Sequence, residues 1–157
     1  MLYDQLLSET EAKVFEKDIP LSIKGLYGDN VIWINKRIQS RTEKACILAE
    51  ENGHHYTSSG DILKQESIKN RKQEKRARNW AYEKLIPIST FVQAHLQGIR
   101  NRHELADHLG VTEDFLDSAI RHFQEKYGLR APVGDYTVIF EPLGVLELFK
   151  EVYAFQL

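Results

Sequence analysis

Apolar and polar positions follow a changing period along the chain, and the changes mark its elements. Leu2, Leu6, Leu7, Val14 and Phe15 stand among charged residues over 2–17, a pattern that predicts one amphipathic helix stopped by Pro20. Residues 21–27 and 31–35 predict two strands joined across Gly28-Asp29-Asn30, a good hairpin turn, and Val31-Ile32-Trp33-Ile34 is the most β-prone stretch of the chain. Residues 40–56 predict a helix. Ser40 and Glu43 have the spacing of a capping box, and Ala45, Leu48 and Ala49 are spaced to face a core. Residues 56–60 end that helix, and 61–67 are polar without a clear period. Residues 69–85 predict a second long helix closed by Pro87, and 88–98 a short one. Residues 102–127 have the form helix, turn at Gly110, helix. Thr112 caps the second helix, and Phe115, Leu116, Ala119, Ile120 and Phe123 form its apolar face. Residues 136–140 predict a strand, followed by Pro142-Leu143-Gly144. Residues 145–153 are apolar with few charges, as in a segment that caps the core or packs against a partner.

Length and composition narrow the class. At 157 residues the chain is sized for one domain with at most a small appendage. The division expected is a core over 1–100, a helical lobe over 101–130, and a C-terminal strand and tail over 131–157 packed on the same unit. A net charge of −2 gives no global attraction to nucleic acid or to an anionic membrane. No apolar run is long enough to span a bilayer and no signal-peptide core is present, which points to the cytoplasm. Cys46 is the single cysteine, so an internal disulfide and a thiolate metal cluster are both excluded. Its place between Ala45 and Ile47 predicts a small buried hydrophobe.

The candidate chemistry gathers on the helix over 40–56. Ile47, Glu50, Glu51 and His54 fall on one stripe at i, i+3, i+4 and i+7, so two carboxylates and an imidazole project into one space. A solvated polar face would explain such a stripe. A zincin-type site would also explain it: there, ligands at i and i+4 bind one metal, and a Glu at i+1 takes a proton from water. The i, i+1, i+4 set here is Glu50, Glu51 and His54, with Glu where the usual motif has His. On the second long helix Glu74 lies close to one line with the apolar Ala77, Ala81 and Leu85, with Trp80 beside it. A carboxylate carried inward needs a partner, either a metal or a nearby Arg. The same helix carries Lys69, Arg71, Lys72, Lys75, Arg76 and Arg78. Such a run is more often a wet helix face than a nucleic-acid patch. His103, Glu104 and His108 resemble a metal motif, but spacing i, i+5 separates the two imidazoles around the helix. In the lobe over 102–127 the second helix presents Glu113, Asp114, Asp117 and Glu125 against Arg121 and His122. An acidic recognition helix is repelled by phosphates, so the lobe reads as structural or protein-binding.

Two of these stretches together resemble the ImmA/IrrE family of metallopeptidases. Leu48-Ala49-Glu50-Glu51-Asn52-Gly53-His54 resembles the family's A-H-E-L-G-H core. Glu74-x-x-Ala77-x-x-Trp80-Ala81, followed by Leu85-Ile86-Pro87, resembles its E-x-x-A-x-x-F-A and L-M-P. The match covers residues 31–87, and in overall layout the chain is similar to the anti-repressor versions encoded by phages and mobile elements. The resemblance implies an α+β fold. It has a zincin-like metallopeptidase core (N-terminal helix, small antiparallel sheet, metal helix) and a helix-turn-helix-like lobe. It implies Glu50, His54 and Glu74 as metal ligands and Glu51 as the catalytic residue that polarises water for attack on a peptide carbonyl. The implied cofactor is a divalent metal, zinc in kind. Two Glu and one His make a harder, more anionic site that favours manganese or another divalent ion. His55, about 100° around the helix from His54, is a substitute ligand only if the helix end unwinds. In such enzymes the strand before the metal helix, here residues 31–35, lies beside the cleft and binds an extended substrate by strand addition.

The function expected is thus a metal-dependent endopeptidase that cleaves a cytoplasmic repressor or other regulatory protein, with no direct contact to nucleic acid or membrane. A second reading is a non-catalytic relative that regulates a repressor by binding it, through the Trp33 strand or the helical lobe. The Glu50 substitution favours it. A DNA-binding regulator using residues 102–127 is the third.

Overall fold

A computed structural model describes residues 1–58 and 67–147, with side chains throughout except at 67–70. The order is α1 (Leu2–Glu9), β1 (Lys13–Lys17), β2 (Gly25–Gly28), β3 (Val31–Asn35), α2 (Arg41–Thr57), α3 (Ser67–Leu85), α4 (Ser89–Leu96), α5 (Arg102–Leu109), α6 (Glu113–Tyr127), β4 (Arg130–Val133), β5 (Tyr136–Phe140) and β6 (Leu143–Leu146). The fold is α+β, with six helices and two three-stranded sheets among the described residues.

The N-terminal stretch departs from the single helix expected over 2–17. α1 stops at Glu9 because Thr10 turns extended and its hydroxyl donates to the Leu6 carbonyl at 2.6 Å, closing the last turn. Lys13 N–H then donates to the Asn30 carbonyl at 3.1 Å, and Lys13–Lys17 joins a sheet. Its alternation puts Val14 and Glu16 on the inner side. There Glu16 accepts from Tyr3 Oη at 3.0 Å and pairs with Lys44 Nζ at 2.8 Å. The sheet over β1–β3 is mixed rather than antiparallel: its order is β1-β3-β2, with β1 parallel and β2 antiparallel to β3. β2 is also shorter than expected. Residues 21–24 are used up in a turn in which Ile23 N–H donates to the Pro20 carbonyl at 2.9 Å.

The β2–β3 hairpin turns on Asp29 and Asn30, both at positive φ, 49° and 64°. That is the left-handed pair a two-residue turn needs to match the strand twist, and Asp and Asn tolerate it best among residues with a Cβ. Ile32 and Ile34 on β3 point inward and are fully buried. Phe15, Trp33 and Leu26 are in register across the three strands on the opposite face, where they are 46%, 40% and 37% exposed. Asn35 ends β3 fully buried. Its amide nitrogen donates to the carbonyls of Ile19, Pro20 and Ile23 at 3.2, 3.2 and 2.8 Å, and its Oδ1 accepts from Arg37 N–H at 3.0 Å. It thus ties the entry loop of β2 to the exit of β3. Asn35→Ala should orphan these buried groups and cost about 2–4 kcal/mol, measured as a fall in the urea midpoint.

α2 begins as its sequence predicts. Ser40 Oγ accepts from Glu43 N–H at 3.1 Å, though the Glu43 carboxylate pairs with Lys24 at 2.9 Å rather than folding back on the cap. α2 lies against the inner face of the β1–β3 sheet, with α3 packed alongside it. In the second half, Thr112 Oγ1 caps α6 by accepting from Phe115 N–H at 3.1 Å, and Gly110 turns the chain at φ 73°. Residues expected as one strand and a tail form a second sheet, β4-β5-β6, antiparallel throughout. The apolar stretch over 145–153 contributes β6 through Leu146, and its remainder from 148 lies outside the described residues. Phe123 of α6 stacks on Phe140 of β5 and meets the edge of Phe91 of α4, which joins this sheet to the same core. No helix among the described residues is long and apolar enough to cross a membrane.

Candidate active site

Small residues at the α2–α3 crossing set the site. Ala77 and Ala81 are fully buried, and α2 presents Gly53 to the backbone of Ala77. A Cβ placed on Gly53 would lie 2.1 Å from the Ala77 carbonyl oxygen, so the two helices touch there backbone to backbone. This close approach brings His54, the next residue of α2, against Glu74, one turn before Ala77 on α3. His54 Nε2 and Glu74 Oε1 are 3.1 Å apart. His54 is buried and its Nδ1 has no hydrogen-bond partner, whereas the Glu74 side chain is 44% exposed. The second carboxylate oxygen of Glu74 faces Arg78 at 3.9 Å.

The other two acids of the stripe lie one turn up the helix. Glu51 faces β2: a Cβ on Gly25 would fall 3.0 Å from Glu51 Oε1, so the missing side chain leaves the carboxylate its space. Burial pushes the Glu51 carboxyl up to about 7, with repulsion from Glu74 and Glu50 adding to it and His54 opposing it. Burial also raises Glu50, against the attraction of Arg78. Glu74 moves the other way, held down chiefly by its hydrogen bond to His54. For His54, burial favours the neutral ring. The bond to Glu74 and the charges of Glu51, Glu74 and Glu50 outweigh it, so its affinity for a proton is raised.

His55 is committed elsewhere. Its Nδ1 is 2.8 Å from Tyr27 Oη on β2, and its Nε2 is 3.3 Å from Glu11. α2 is helical through Thr57, so His55 does not swing to the His54 side. His103 pairs with Glu113 at 3.4 Å and Asp107 at 3.8 Å at the surface, and with Glu104 and His108 it forms no metal-binding group. Cys46 is buried and free.

The strand expected beside the cleft needs correction. β3 is the central strand and both its edges are filled, so it has no edge to offer a peptide. The open edge among the described residues next to Glu51 belongs to β2. Asn35 N–H donates to the Lys24 carbonyl at 2.9 Å, so Lys24, Leu26 and Gly28 bond inward to β3. By alternation Gly25 and Tyr27 turn their N–H and C=O outward.

A family model for peptidase M78, the IrrE N-terminal-like domain, matches residues 8–121. The chain belongs to this family. A search of curated proteins finds no match. Members of an IrrE-like peptidase family are metallopeptidase in kind, which suggests a divalent metal, usually zinc. Among the described residues no three of His, Cys, Asp and Glu stand close enough together to hold one. His54 and Glu74 touch, His54 keeps an orphaned ring nitrogen, and Glu50 and Glu51 are near enough to act on the pair electrostatically, with Arg78 as the nearby cation. The carboxylates around the buried His54 outnumber the nearby cations, an excess of negative charge that a divalent cation would neutralise.

Glu50, Glu51, His54 and Glu74 are visible in the sequence, but three residues around them are not. Gly53 stands there as part of a motif, and only the fold makes it the contact that sets the helix spacing. Gly25 carries no local signal, since its role depends on β2 lying over Ile47 and Glu51. Tyr27 pairs with a residue 28 positions away, which no local spacing encodes.

Proposed function

We propose that this protein is a metal-dependent endopeptidase with a zincin-like core, in which His54, Glu74 and Glu50 would hold a divalent ion and Glu51 would be the general base. The observation that carries the reading is the His54–Glu74 contact across two helices, one turn from a half-buried carboxyl raised toward neutrality. A bound divalent ion would supply Lewis acidity toward a peptide carbonyl and lower the pKa of water. Glu51 accepts the proton of the attacking water and hands it to the leaving amine. Gly25 leaves space for that carboxylate, and the outward groups of Gly25 and Tyr27 pair with an extended substrate along the β2 edge. Tyr27, fixed by His55, which Glu11 holds in turn, keeps that edge in place. A substrate bound in extended form is an unfolded or linker segment, as found between the domains of a regulatory protein. Cleavage of a repressor, the anti-repressor role, is the finer form of the proposal.

A second reading, a regulator that binds without cutting, is favoured by Glu50 standing where the motif has His and by the lack of a three-residue ligand group among the described residues. Incubation with casein separates the two. Hydrolysis should appear with zinc or manganese and stop with a chelator. No cleavage with either metal would favour the binding role.

A further inference from the structure

A groove of about 530 Å³ opens beside Glu74, between α3 and α6. Arg71, Lys75 and Arg78 line one wall at i, i+4 and i+7 of α3, and Arg121 faces them from α6. Against these four cations stand two carboxylates. Lys75 pairs with Glu125 at 3.0 Å, and Arg78 reaches Glu74 at 3.9 Å. Arg71 and Arg121 are exposed, and among the described residues no carboxylate pairs with either. The chain as a whole carries a net −2, so this concentration of positive charge is local.

We infer that this groove binds an acidic segment of the substrate polypeptide and so selects which proteins reach the site. The inference rests on the peptidase reading for its link to cleavage, because Glu74 and Arg78 belong to both places. Guanidinium forks match carboxylates in two-point geometry, and two unpaired ones across a groove can hold an Asp or Glu side chain between them. A nucleic-acid strand is a poorer occupant. Its phosphates would extend past the groove and meet Glu74, Glu125 and Glu83, and the first turn of α6 adds Glu113 and Asp114.

The test uses the full chain carrying Glu51→Gln, so that bound peptide is not consumed. Fluorescein-labelled peptides share one apolar framework and carry several Glu, the same number of Gln, or the same number of Lys. Anisotropy titration should show the Glu peptide binding roughly tenfold more tightly than the Gln peptide, with the Lys peptide weakest. Adding Arg71→Ala with Arg121→Ala should erase the preference, while Lys13→Ala should leave it. Equal binding of the Glu and Gln peptides, a preference that survives the double variant, or stronger binding of a single-stranded oligonucleotide in competition would each overturn the inference. Cleavage by the wild type answers a separate question. Hydrolysis without charge preference would sink the groove and leave the peptidase reading. Charge-selective binding without hydrolysis would uphold the groove and sink the peptidase reading.

Discussion

Gly53→Ala should destabilise the protein by about 3 kcal/mol or more and abolish activity with it. The direction opposes what helix propensity alone gives, since Gly to Ala in a helix interior ordinarily stabilises by about 1 kcal/mol. Here the added methyl would sit 2.1 Å from the Ala77 carbonyl oxygen and 2.7 Å from its carbon, both backbone atoms of a fully buried residue. α2 and α3 can relieve that overlap only by separating. Separation uncovers Ala77 and Ala81 and pulls His54 from Glu74. Gly28→Ala is the control, because its Cβ would meet nothing within 4 Å. It should change stability by less than about 0.5 kcal/mol. Urea unfolding followed by circular dichroism reads both.

Glu51→Gln should remove hydrolysis by about a hundredfold or more, and should also stabilise the metal-free protein above neutral pH. A carboxyl raised from its usual 4.5 to about 7 keeps its proton in the folded chain between those two values and loses it there in the unfolded one. Its favourable contribution is therefore complete below 4.5 and disappears as pH rises through 7, so the metal-free wild type weakens along that path. The full change is on the order of 3 kcal/mol. The Gln variant, with no proton to lose, should weaken less from pH 5 to pH 8. Added zinc or manganese should restore the wild type at pH 8, because a cation offsets the crowded charge. Melting temperatures at the two pH values, with and without metal, test the sign. A wild type that strengthens toward pH 8 without metal would refute the buried-acid account.

How much of this could be read in the residues varies by element. The helix over 40–56 was legible because its cap, its apolar stripe and its end are all local. So was Glu74, whose line with Ala77 and Ala81 turns it to the side facing α2. The N-terminal helix was overextended for a physical reason. Val14 and Phe15 fit a helical stripe as well as a strand, and only parallel pairing with β3, 18 positions on in register, decides for the strand. The same long-range pairing makes β3 central and leaves β2 as the open edge next to Glu51. The second sheet was half hidden because β4 and β6 are four residues each and come with Pro and Gly, which read as turn. At the site, the identities of the acids and the imidazole were plain, while the contacts of Gly25, Gly53 and Tyr27 exist only between elements.

Metal content decides whether His54 and Glu74 form a metal centre. The wild type, His54→Ala and Glu74→Gln chains would each be dialysed against zinc or manganese, freed of unbound ion and measured by elemental mass spectrometry. About one divalent ion per wild-type chain, lost from both variants while their circular dichroism is unchanged, is the predicted result. A wild type without metal, or variants that retain it in full, would contradict a metal centre built on His54 and Glu74.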